Sequence, residues 1–121
     1  MPSHRQQQGL WAQQQASEYL VKQGLRWIAQ NVGYRCGELD LIMADADVLV
    51  FVEVRWRGGS GYGGALASVT RRKRERLVRA AQCYLQGEAG RCAGAVRFDV
   101  VAVEPQGLTW VPNAFGLDHR F

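Results

Sequence analysis

The chain has 121 residues, 47% hydrophobic and 21% charged, the make-up of one ordinary globular domain and too short for two. Fifteen Lys and Arg against eleven Asp and Glu leave a net +4, and no apolar run approaches the roughly 20 residues that span a bilayer. Three cysteines without CxxC spacing argue against a disulfide scaffold or a structural zinc, and MPSHRQQQGLW lacks the apolar core of a secretory signal, so a reduced, cytoplasmic protein is expected.

Residues 1–8, rich in Gln, are expected to be frayed. From Gly9 to Gln23, Leu10, Trp11, Ala16, Tyr19 and Leu20 recur at helical steps, with Gly24 as the stop. Residues 25–32 alternate as a strand does. Two further strands, 38–43 and 48–56, flank Ala-Asp-Ala-Asp at 44–47, the short polar spacer of an antiparallel hairpin. "RGGSGYGGA" at 57–65 has neither the lysine nor the spacing of a phosphate-binding loop and reads as a flexible flap.

The spacing predicts a second helix from Thr70 to Gln86, with Leu77, Val78, Ala81, Tyr84 and Leu85 as its apolar stripe. "AVRFDVVAV" at 95–103 is a strand, and a short last strand is expected at 108–111 before an irregular tail, 115–121. A single α/β domain follows: a mixed central sheet of about five strands flanked by two main helices.

Three acids interrupt the strand patterns. Val48, Val50, Val52 and Val54 share one face; Leu49, Phe51, Glu53, Arg55 and Arg57 share the other. Glu38 and Asp40 share a face with Ile42. If the hairpin turns at 44–47, Met43 faces Val48, Asp40 faces Phe51, and Asp40 lies diagonal to Glu53 at roughly 7–8 Å. Two carboxylates held so close repel unless something offsets them. Mg²⁺ does so, since it is held by one or two carboxylates together with waters and substrate phosphates. Arg55 would add a fixed charge beside a phosphate. The plainer reading makes Glu53 and Arg55 an exposed ion pair of little worth.

Arg71, Arg72, Lys73, Arg74, Arg76 and Arg79 fall within nine positions. Such a cluster suits a polyanion, or else is a solvated helix face. Asp99, between Arg97 and the following strand residues, reads as the structural partner of a basic side chain. His4 and His119 lie at the chain's ends and read as solvated, and Trp56 and Tyr62 as core or surface aromatics before base-stacking ones.

"GELDLI" at 37–42, "VFVEVRWR" at 50–57, Lys73 on a helix and "RFDVV" at 97–101 together resemble the YraN-like bacterial family. That family is similar to archaeal Holliday junction resolvases within the restriction-endonuclease-like superfamily. The resemblance runs from about Gly9 to Ala114. It implies a restriction-endonuclease-like fold, a Mg²⁺- or Mn²⁺-dependent endonuclease and a DNA substrate, branched or otherwise structured. A resolvase of that kind would act as a homodimer.

By position the resemblance makes Asp40 and Glu53 metal ligands, with Glu18 on the first helix as an assisting acid and Arg55 at the catalytic position where the superfamily usually has Lys. Lys73 is a candidate for a relocated lysine. Arg71, Arg72, Lys73, Arg74 and Arg76 become the nucleic-acid contacts. The Arg at 55 leaves an alternative open: a nucleic-acid-binding module that keeps the fold without cleavage.

Overall fold

The computed structural model describes residues 3–58, 64–87, 94–118 and 120. In chain order come α1 (His4–Lys22), β1 (Arg26–Tyr34), β2 (Gly37–Asp45), β3 (Val48–Trp56), a 3-10 turn (Leu66–Ser68), α2 (Arg71–Gln86), β4 (Ala95–Glu104) and β5 (Gly107–Phe115). The strands form one sheet in the order β1-β2-β3-β4-β5. Only β3 and β4 run parallel, and α2 lies in the crossover that a parallel pair requires. This is the mixed five-stranded α/β sheet with two helices that the sequence predicts, and it has the restriction-endonuclease-like layout. Of the expected flap at 57–65, residues 59–63, Tyr62 among them, lie outside the described residues, as do Cys92 and His119.

α1 starts five residues earlier than its apolar spacing indicates. Ser3 Oγ accepts the Gln6 N–H at 3.1 Å while Gln6 Oε1 accepts the Ser3 N–H at 2.8 Å, a capping box that satisfies two otherwise orphaned donors. Residues 4–8 are therefore helical rather than frayed. The helix buries Ala12, Ala16 and Leu20, while Leu10 and Trp11 stay exposed. The small alanines let it sit close over Leu41, Met43, Val50, Val52, Val101 and Val103.

α2 covers the other face. Its Leu77, Val78, Ala80 and Ala81 pack on Ile42, Leu49, Phe51, Phe98, Val100 and Ala102. Phe51, Phe98 and Phe115 stack across β3, β4 and β5 with ring centres 5.5 and 4.9 Å apart. Gly37 lies beneath α2, where a Cβ would come within 2.9 Å of the Arg76 carbonyl oxygen, so β2 passes there only without a side chain. Among the described residues no helix is long and apolar enough to cross a membrane.

The hairpin register differs from expectation by two residues. Asp45 pairs with Val48, Met43 with Val50 and Ile42 with Phe51. Phe51 therefore does not face Asp40, nor Val48 Met43. The cause is the turn: it holds two residues, Ala46 and Asp47, with Ala46 at φ 52°, where a four-residue spacer was expected. A shift of two keeps every side chain on its face. It brings Asp40 toward Glu53, just past the last pair, Leu41 and Val52.

The last strand also runs further than predicted, through Pro112 to Phe115. β5 is an edge strand and its ladder shifts between Phe98 and Val100, so proline costs no sheet hydrogen bond that a central strand would need. Asp99, 0% exposed, fills that irregularity. It accepts from Arg97 Nε (3.0 Å) and Nη2 (3.2 Å), Trp110 Nε1 (3.0 Å) and the Asn113 N–H (2.9 Å), which bears out its reading as a structural partner.

Candidate metal and phosphate site

β2 and β3 stop pairing where the carboxylates begin. Asp40 Oδ2 accepts the Val54 N–H at 2.9 Å, doing the work of a neighbouring strand's carbonyl. Glu53 extends from the α2-facing side of β3 and is only 9% exposed. The two carboxyls share a hydrogen bond. Burial and then the Asp40 charge push the Glu53 carboxyl well above its ordinary 4.5. Burial also raises Asp40, with the Glu38 charge adding to it, against the pull of the Val54 N–H, of Glu53 and of Lys73. Burial and mutual repulsion thus favour the protonated forms of both carboxyls, as like charges confined together do.

Two cations face this pair. Arg55 Nη1 lies 3.8 Å from Glu53 Oε1, a loose ion pair, and the buried Arg55 Nε meets no protein acceptor among the described residues. The guanidinium thus keeps donors for another oxyanion. Lys73, in the first turn of α2, is near enough to pull both carboxyls downward. Its spacing shows why. Lys73 stands one helical turn before Leu77 and two before Ala80 and Ala81, on the stripe that α2 lays against the sheet. Reading residues 71–79 as one charge run hid that difference in direction.

The basic run divides by direction. Arg71, Arg72, Arg76 and Arg79 are exposed, with Arg71 paired to Glu75 at 3.3 Å. Arg74 is not part of that surface. It is 9% exposed, and its Nη1 donates to the Val69 carbonyl at 2.7 Å, since 74 shares the inward side with Leu77, Val78 and Ala81. Glu18 is exposed on α1 and accepts from Gln14 Nε2 at 3.2 Å. α1 packs on the sheet face opposite Glu53, so the structure does not bring Glu18 to the acid pair. Glu18 instead lines an open groove of about 430 Å³ with Trp11, Tyr19, Lys22 and Leu108.

The donor set decides what metal could sit here. Among the described residues no three His, Cys, Asp or Glu side chains converge. Two hard carboxylates remain, too few for a structural zinc but the usual protein share for Mg²⁺ or Mn²⁺, whose other ligands are water and substrate phosphate. A divalent cation held between them would relieve the repulsion.

Comparison with known proteins agrees on one family. Residues 12–103 match the family described as "Uncharacterised protein family UPF0102". The chain is similar to a UPF0102 protein of Bordetella avium, 51% identical over 94% of this chain and 78% of that one. One from Halorhodospira halophila is 53% identical over 90% and 87%. Another, from Xanthomonas campestris, is 48% identical over 98% of each.

Proposed function

The chain belongs to UPF0102, the YraN-like family, and we propose that it is a metal-dependent endonuclease that hydrolyses DNA phosphodiester bonds. The observation that carries this reading is the pairing of a half-buried Asp40 with a buried Glu53, crowded together and faced by Arg55 and Lys73. Asp40 and Glu53 would hold Mg²⁺ or Mn²⁺, which when bound polarises the phosphate and lowers the pKa of attacking water. Val54 fixes the Asp40 carboxylate, so one ligand is set in place before a cation arrives.

Arg55 holds charge on the phosphate and, being always protonated, transfers no proton. The amine of Lys73 is able to do both. The exposed Arg72, Arg76 and Arg79 lie one turn apart along α2 and suit a phosphate backbone rather than base edges. Branched DNA is the substrate class, and a homodimer the assembly, that the junction-resolvase resemblance favours.

The test uses the full chain with end-labelled four-way junction and duplex DNA in Mg²⁺ or Mn²⁺, with Asp40→Asn as the control. Cuts that need metal and vanish in the variant support the enzyme. DNA bound yet uncut across metals and pH leaves a binding module that keeps the fold. Salt titration gives an independent readout. Replacing Arg72 and Arg76 with Gln should lower the slope of log affinity against log salt by about 0.9 per lost phosphate contact. The slope should not change for Gln106→Ala, an uncharged position in the turn between β4 and β5.

A further inference from the structure

We propose that Cys36 and Cys83 are an oxidisable dithiol that closes to a reversible disulfide, tying α2 to the start of β2. Their sulfurs stand 4.0 Å apart although 47 positions separate them in the chain. Cys36 occupies the two-residue turn between β1 and β2, and Cys83 lies on the last turns of α2, exposed to solvent and to an oxidant. Forming a bond of about 2.05 Å asks only a modest rotation of each side chain. The backbones are already held together, because β2 at Gly37 passes directly under the Arg76 carbonyl. Burial, and then the neighbouring Cys83, Tyr84 and Cys36, raise the Tyr34 hydroxyl, which places Tyr34 near both sulfurs.

The oxidant is a peroxide. The Cys83 thiolate attacks one peroxide oxygen, the O–O bond breaks, and the hydroxide released takes a proton to leave as water. The Cys36 thiolate then attacks the sulfenic sulfur and displaces a second hydroxide, which also leaves as water. Two thiols and one hydrogen peroxide give one disulfide and two waters. Asp40 follows Cys36 by four residues and Lys73 lies on α2, so the cross-link joins the two elements that set the lysine against the acid pair.

The experiment treats the full chain with stoichiometric hydrogen peroxide, alkylates remaining thiols and maps the peptides by mass. The expected product is a Cys36–Cys83 linked peptide, formed equally in Cys92→Ser and absent in Cys83→Ser. The oxidised protein should be lighter by two hydrogens and melt several degrees higher, with both changes reversed by dithiothreitol. Links through Cys92 or between chains, or Cys83 driven to sulfinic acid without a link, would overturn the proposal. So would a linked protein with an unchanged melting temperature. Because Cys83 is exposed, its replacement leaves the core intact and keeps the control interpretable.

Discussion

Glu53→Gln should make the metal-free protein more stable at pH 8 while abolishing metal-dependent cleavage. Gln keeps the shape and a hydrogen bond to Asp40 but carries no charge into a site already crowded with one. Relieving uncompensated buried charge should gain about 1–2 kcal/mol, or roughly 4 °C of melting temperature per kcal/mol in a chain of this size.

The gain must depend on pH. Glu53 holds its proton more tightly folded than unfolded, so the stability this proton supports is complete below the ordinary 4.5 and is lost as pH rises through the raised folded value. Wild type and variant should therefore melt together near pH 4 and separate as pH increases. Mg²⁺ or Mn²⁺ at pH 8 should raise the wild-type melting temperature and leave the variant where it was. Cleavage should fall by about three orders of magnitude, the scale of losing a group that holds transition-state charge. Differential scanning fluorimetry over pH and metal checks the first part. A variant that melts below wild type at pH 8 would mean that the crowding of negative charge is absent.

Asp99→Ala should be among the most damaging single changes in the molecule. It removes the acceptor for four hydrogen bonds and leaves the Arg97 guanidinium, largely withdrawn from water, without its bidentate partner. Breaking a buried pair from one side costs about 3–5 kcal/mol, a large share of the 5–15 kcal/mol typical of a domain. Arg97 also donates to Asp45 at 2.8 Å, spanning the first residue of β3 to grip the hairpin end on β2. Loss of Asp99 therefore loosens the register that sets Asp40 against Glu53. Urea denaturation measures it: Asp99→Asn, which retains one acceptor, should lose less than Asp99→Ala, and equal losses would count against the charge.

Strand alternation carried much of this into the sequence. Val48 to Val54 on one side and Leu49 to Arg55 on the other were enough to put Glu53 on one face with Leu49 and Phe51, the face that α2 covers in the structure, and the pairing of Asp99 with a basic residue followed from its neighbours. The turn was not legible, because Ala46 at positive φ carries none of the Gly or Asn signal that marks such positions. Nor was the continuation of β5, since proline ordinarily ends a strand and only an edge position excuses it. Arg74 was hidden by company, and Lys73 stood out only through the family resemblance: adjacent cations look alike in a run, and only the phase of the helix separates inward side chains from outward arginines. Glu18 shows the converse. A family position suggested a role that helix phase, which leaves it solvated beside Gln14, does not supply.

The two margins of the sheet have a consequence for assembly. β1 is interrupted between Trp27 and Ala29 and turns through Asn31 at φ 54°, while β5 carries Pro112 and Asn113 at φ 50°. Neither rim offers an unbroken row of amides and carbonyls on which another strand could zip. Two copies joining would have to meet through side chains, and the chain is spared the runaway stacking to which straight, regular rims are prone.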